Sequence, residues 1–109
     1  MLFAVASHDG KVINQHFGHA ERFLIYEVSG SEVRLVDERK FERYCTYDQD
    51  HPLRAHILKA IADSLGGCCA IICAQIGPGP QMEMERLGIE TFVAEGPIRP
   101  TLLELSKML

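Results

Sequence analysis

The feature that most constrains the fold is the run CAIICAQ at residues 69–75, closed by Ile76-Gly77-Pro78-Gly79-Pro80. So continuous an apolar segment has no polar face to turn to water. It is expected to be a strand covered on both sides. The covering helices are visible as spacing. Leu53, Ile57, Ile61 and Leu65 recur every four residues behind Pro52 and stop at Gly66. A short helix is expected after the Gly-Pro break, with Pro80 in its first position, ending near Leu87-Gly88. Ile98, Leu102, Leu105 and Leu109 place a last helix behind Gly96-Pro97.

The first part of the chain has a different period. Residues 2–7 (LFAVAS) and Phe23–Val28 read as strands. Val33, Leu35 and Asp37 alternate with Arg34, Val36 and Glu38 across the tight connection Ser29-Gly30-Ser31. Residues 89–94 supply a fifth strand. The predicted order is β-β-β-α-β-α-β-α, an α/β fold. Three antiparallel strands followed by βαβ crossovers give a mixed five-stranded sheet with flanking helices, the layout of a ribonuclease-H-like or actin-like domain. With 109 residues the chain has room for one domain, spanning 1–109.

Composition removes several classes. A 47% hydrophobic content supports one core, and 11 Lys+Arg against 15 Asp+Glu leave a net charge of −4 without a basic run. A nucleic-acid partner is therefore not expected. No apolar stretch approaches the ~20 residues of a membrane span, so no membrane partner is expected either. Met1–Ala6 lacks the basic and apolar regions of a signal peptide, and the expected location is cytoplasmic. Oligomeric state is not legible.

The sharpest local feature is Asn14-Gln15-His16-Phe17-Gly18-His19-Ala20. Two imidazoles three residues apart stand on a loop entering a strand, and neutral imidazole is a good transition-metal ligand. Gly18 permits close backbone approach. Two ligands alone do not make a site. One histidine capping the segment 19–22 and the other lying on the surface would account for the pair equally well. Among the cysteines, alternation puts Cys69 and Cys73 on one face and Cys68 on the other, with Cys73 in the core. Cys45 stands on a loop near Tyr47, His51 and His56 and is the more plausible ligand. There are no CxxC pairs for a structural zinc site.

At the strand end, the Gly77 turn offers backbone N–H groups at a helix N-terminus, which favour an anion. A tight turn explains it as well, and neither GxxxxGK[ST] nor GxGxxG occurs. Enzyme readings fare worse. Asp9, Glu27 and Asp37 are not aimed together as a two-metal nuclease requires. Ser7, His8 and Asp9 are sequence neighbours, poor geometry for a triad. Cys45 with a histidine base has no supporting signature.

The residues His16-Phe17-Gly18-His19-Ala20, Phe23, Ile25-Tyr26, Tyr44-Cys45 and Ile76-Gly77-Pro78 together resemble the dinitrogenase iron–molybdenum cofactor biosynthesis family. That family comprises NifX, NafY-type proteins and the C-terminal domain of NifB. The similarity runs from about Val5 to the last helix. It implies a ribonuclease-H-like, non-enzymatic domain that binds the iron–molybdenum cofactor, or its iron–sulfur precursor, as cargo and passes it to nitrogenase-assembly proteins. Carried over, His16, His19 and Cys45 become the metal ligands, with Asn14, Gly18 and Gly77 lining the site and Lys11 and Arg22 near an anionic cluster. The CxxxCxxC triad of the radical-SAM part of NifB is missing here. The other reading is a free-standing module of the same fold, outside nitrogen fixation, for another metal species, a small anion or a partner protein.

Overall fold

A computed structural model of the chain describes residues 1–20, 22–40 and 55–109, without the side chains of residues 19 and 55–57. Its elements in chain order are β1 (Leu2–Val5), β2 (Val12–Ile13), a 3-10 turn (Phe17–His19), β3 (Arg22–Ser29), β4 (Glu32–Lys40) and α1 (Ala55–Ser64). They continue with β5 (Ala70–Cys73), α2 (Pro78–Arg86), β6 (Glu90–Val93), β7 (Gly96–Pro97) and α3 (Ile98–Met108).

The apolar run becomes β5, and all four of its residues are fully buried. Alternation along the pleat sends Ile71 and Cys73 to one face, Ala70 and Ile72 to the other. On the first face they meet Leu58, Ile61 and Leu65 of α1 and Met84 of α2. On the second they meet Ile98, Leu102 and Leu105 of α3. β1 is divided likewise, Ala4 facing α1 and α2 while Phe3 and Val5 face α3. The two cores on either side of the sheet are what the unbroken hydrophobicity of β5 demands.

The main sheet has five strands in the order β4-β3-β1-β5-β6. β1 pairs antiparallel with β3, in register Val5 to Leu24, and parallel with β5, in register Val5 to Ile72. β3 and β4 form the expected hairpin, closing at Ser29 opposite Glu32 with Gly30 at φ +61°, a conformation that favours glycine. The sheet is thus mixed, with three helices around it.

Several expectations need correction. Residues 12–13 and 96–97 form a second, two-stranded sheet in which Val12 pairs with Pro97, so Gly96-Pro97 is a strand before it is a helix opening. Neither segment is long enough to show a period. In α2 the first helical position belongs to Pro78, behind Gly77 as N-cap, and Pro80 falls two residues later. Leu109 does not complete the α3 stripe and is 45% exposed, because the helix ends at Met108. The alternation expected in β4 is interrupted between Asp37 and Leu35, where Val36 is the extra residue of a bulge, and both Leu35 and Val36 are exposed. Strand alternation also fails before Ala70. Cys68 packs with the core holding Cys73, while Cys69 is exposed, because β5 begins only at residue 70 behind the Gly66-Gly67 turn. The expected helix start at Pro52 and Leu53 lies outside the described residues.

Candidate functional site

The loop after β1 and the chain after β5 are joined at one end of the sheet. β1 and β5 run parallel, and the Ala6 N–H donates to the Ile72 carbonyl. Beyond the strands, the Ala74 N–H donates to the Gln15 carbonyl at 2.9 Å and the Phe17 N–H to the Gln75 carbonyl at 2.8 Å. A parallel bridge between His16 and Gln75 results. His16 and Gly18 are therefore laced to the segment leading into Gly77, two motifs that lie about sixty residues apart in the chain. Phe17 explains itself as the anchor between the histidines. It is buried, and its ring lies 5.8 Å from that of Phe23 on the α1 face.

His16 caps the 3-10 turn. Its Nδ1 accepts the Gly18 N–H at 2.9 Å. The bland expectation of a capping histidine holds in kind, but the capped segment is Phe17–His19 and not 19–22. The cap has a chemical consequence. With Nδ1 accepting, a neutral imidazole carries its proton on Nε2. A metal bound through Nδ1 displaces Gly18. One bound through Nε2 moves the ring proton, and a proton on Nδ1 opposes the Gly18 N–H. Either way, ligation at His16 competes with the turn.

Asn14 has a supporting place. Its Oδ1 accepts the His8 N–H at 2.9 Å, tying the two ends of the preceding loop. Within that loop Ser7, fully buried, donates from Oγ to the Val12 carbonyl at 2.6 Å and accepts the Gly10 N–H. The Asp9 carboxylate accepts the Lys11 and Val12 N–H groups, which hold it below the usual carboxylate range. Tyr26 Oη donates to the Gly10 carbonyl at 3.1 Å, and burial pushes this phenol up. Arg22 reaches the same loop, donating from Nη2 to the His8 carbonyl at 2.7 Å.

These bonds already engage the described side chains on which a hydrolytic reading would rest. Asp9 shapes its own turn, Glu27 pairs with Arg34 at 3.0 Å, and Asp37 pairs with Arg39 at 2.6 Å. Each carboxylate is engaged separately. Ser7 Oγ bonds the Val12 carbonyl, the Gly10 N–H and, at 3.2 Å, the Asp9 carboxylate, with no histidine against it among the described residues. Among the described residues no three His, Cys, Asp or Glu side chains gather as a metal site. Of the expected ligands only the His16 side chain falls within the described residues. The His19 side chain, Cys45, Tyr47, His51 and the His56 side chain lie outside them. Cys73 is fully buried in the core on the α1 face, and burial pushes its thiol up to about 11. Gly77 has φ −70° and an open N-cap without a side-chain bond.

The sequence did not single out Gln15 or Lys40 at this end of the sheet. Gln15 is 8% exposed, a buried polar residue beside the motif histidine. Lys40, the last residue of β4, stands in register with Arg22. Only the strand pairing could have brought these two cations together.

Among the described residues no helix is long and apolar enough to cross a membrane. Over residues 1–108 the chain matches the family described as dinitrogenase iron-molybdenum cofactor. It is 40% identical over 90 residues to the FeMo cofactor biosynthesis protein NifB of Azotobacter vinelandii, covering 83% of this chain and 18% of that protein. It is 43% identical over 105 residues to the NifB protein of Klebsiella pneumoniae, covering 91% and 21%. The chain thus spans about a fifth of the length of the curated relatives it matches. Its fold is similar to the crystal structure of PH0822, with a TM-score of 0.69 at 18% identity, covering 99% of this chain and 92% of the other. A Thermotoga protein solved by NMR, described as a candidate NifB protein of the DUF35 family, matches with a TM-score of 0.60 at 15% identity, covering 97% and 87%. The chain belongs to the dinitrogenase iron-molybdenum cofactor family.

Proposed function

We propose that residues 1–109 form one carrier domain that binds the iron–molybdenum cofactor, or its iron–sulfur precursor, and hands it on during nitrogenase cofactor assembly without catalysing a reaction. The observation that carries this reading is the bridge between His16 and Gln75, which sets the histidine loop beside the Gly77 turn. Family membership supports the cargo. The order of the five main strands, third-second-first-fourth-fifth in sequence, supports a ribonuclease-H-like assignment. In this reading the domain works in the cytoplasm, among nitrogenase-assembly proteins.

The proposed ligands are His16, His19 and Cys45, with Asn14 holding the loop and Gly18 and Gly77 giving the cluster room against backbone. Imidazole and thiolate suit iron. A carrier must also release its cargo, which favours few protein ligands over a closed set of four thiolates. The competition between metal and the Gly18 cap at His16 works in the same direction, since reforming the turn helps expel the ligand.

The test is anaerobic titration of apo-protein with extracted cofactor or precursor, read as iron and molybdenum co-eluting on gel filtration. Near-stoichiometric metal is expected. His16→Asn keeps a side-chain oxygen able to cap the turn while removing the imidazole. With His19→Ala added, affinity should fall at least about tenfold, the scale on which even a ligand's supporting partners matter. Undiminished binding by that folded double variant sinks the assignment.

A further inference from the structure

Beside the histidine loop, and apart from the proposed cluster ligands, a pocket of about 380 Å³ is lined by His8, Gln15, Arg22, Glu38 and Lys40. We propose that it is a binding site for a small oxyanion, a carboxylate or a phosphate, held by Arg22, Lys40 and the Gln15 carboxamide.

Four observations support the inference. Gln15 is more than nine-tenths buried, yet its carboxamide makes no hydrogen bond among the described residues. The polar atoms of that carboxamide open to the pocket rather than being sealed in the core, and a ligand there would give them a fixed partner in place of water. Lys40 makes no ion pair among the described residues. Arg22 spends one nitrogen on the His8 carbonyl, and its contact with Glu38 is long at 3.4 Å. Among the described lining residues, two cations against one carboxylate make the balance positive in a chain whose net charge is −4.

The donor set selects the ligand class. A planar guanidinium and a carboxamide NH₂ offer directional N–H groups that match the oxygens of a carboxylate or phosphate better than a spherical halide. A cation is disfavoured because Glu38 is the one acidic side chain among the described lining residues and already faces Arg22. The volume lies at the small end of ligand sites and suits a compact metabolite-sized anion. The site requires no metal, so it stands or falls separately from the cluster reading.

Metal-free, ¹⁵N-labelled protein titrated with sodium phosphate and, separately, sodium succinate at constant ionic strength tests the proposal by NMR. Saturable shifts of the Gln15 side-chain NH₂ and of the amides of residues 22 and 40 are expected with at least one anion. Saturation by phosphate alone assigns a phosphoryl ligand, and by succinate alone a carboxylate. Lys40→Gln and Gln15→Met should each weaken binding at least about fivefold, while Arg34→Gln, which breaks only the Glu27 pair, should leave it unchanged. Lys40 makes no bonds whose loss would unfold the hairpin, so its variant remains informative if Gln15→Met is unstable. Non-saturating shifts with both anions, or wild-type affinity in Lys40→Gln, overturn the proposal.

Discussion

Single residues here are read by their surroundings more than by their type. Three cysteines with one side-chain chemistry occupy three environments. Cys69 is exposed. Cys68 is half-buried, and burial raises its thiol, opposed by the nearby Arg39. Cys73 is buried in β5, where burial pushes it up to about 11. Because the thiolate is the reactive form, iodoacetamide at pH 8 should label Cys69 first, Cys68 more slowly, and Cys73 only after unfolding. Peptide mapping by mass spectrometry reads the order, and early native-state labelling of Cys73 would contradict its burial. The same shift gives a stability slope. Folding favours the neutral thiol, so its contribution is complete below the ordinary thiol value of 9 and is lost as pH rises towards about 11. What sequence could say of these residues was limited in a definite way. Cys73 was legible because a strand interior has a period, whereas Cys68 and Cys69 lie before the strand and obey none.

Elements were legible in proportion to their length and regularity. The runs that became β1, β3 and β5 and the α3 stripe as far as Leu105 each present several residues to a core, so pattern and structure coincide there, although β1 ends at Val5, two residues short of the expected run. The two-residue strands β2 and β7 are held by their partners. The Ile98 N–H donates to the Lys11 carbonyl just beyond the Val12–Pro97 pair, a long-range contact with no local signature. β4 was legible as a hairpin strand but not as a bulged, exposed edge, since a bulge is set by the partner's register. For α3 the stripe predicts energetics. Leu102 is fully buried in the core that α3 shares with β1, β3 and β5, so Leu102→Ala should cost about 2–5 kcal/mol by urea unfolding. Met108→Ala, at an exposed position in the same helix, should stay within about 0.5 kcal/mol. Equal costs for the two would mean that α3 does not dock on the sheet as described.

At the scale of the whole molecule, the sheet has two chemically different ends. One gathers the loop after β1, the histidine turn, the Gly77 turn, Arg22 and Lys40, all joined by backbone bonds across the sheet. The other carries the Gly30 hairpin turn and Cys69, whose N–H donates to the Leu2 carbonyl. The motif pieces were readable one by one, but their convergence depends on β1 and β5 being parallel neighbours, a non-local pairing that spacing along the chain cannot express. This asymmetry makes a global prediction. If cargo binds at the histidine end, hydrogen exchange of cluster-loaded against apo-protein should slow at amides 7–17 and 74–77, where the two loops are laced together. Amides 29–33 and 66–70 at the far end should exchange unchanged, because the intervening strands are already hydrogen-bonded and carry no slack to transmit the ordering. The Gly18 amide, next to the protected set, is the most telling probe. Its bond to His16 Nδ1 must be surrendered if that ring ligates metal, so Gly18 should lose protection while its neighbours gain it. Protection centred on residues 66–70 instead would move the cargo site to the opposite end and remove His16 from it.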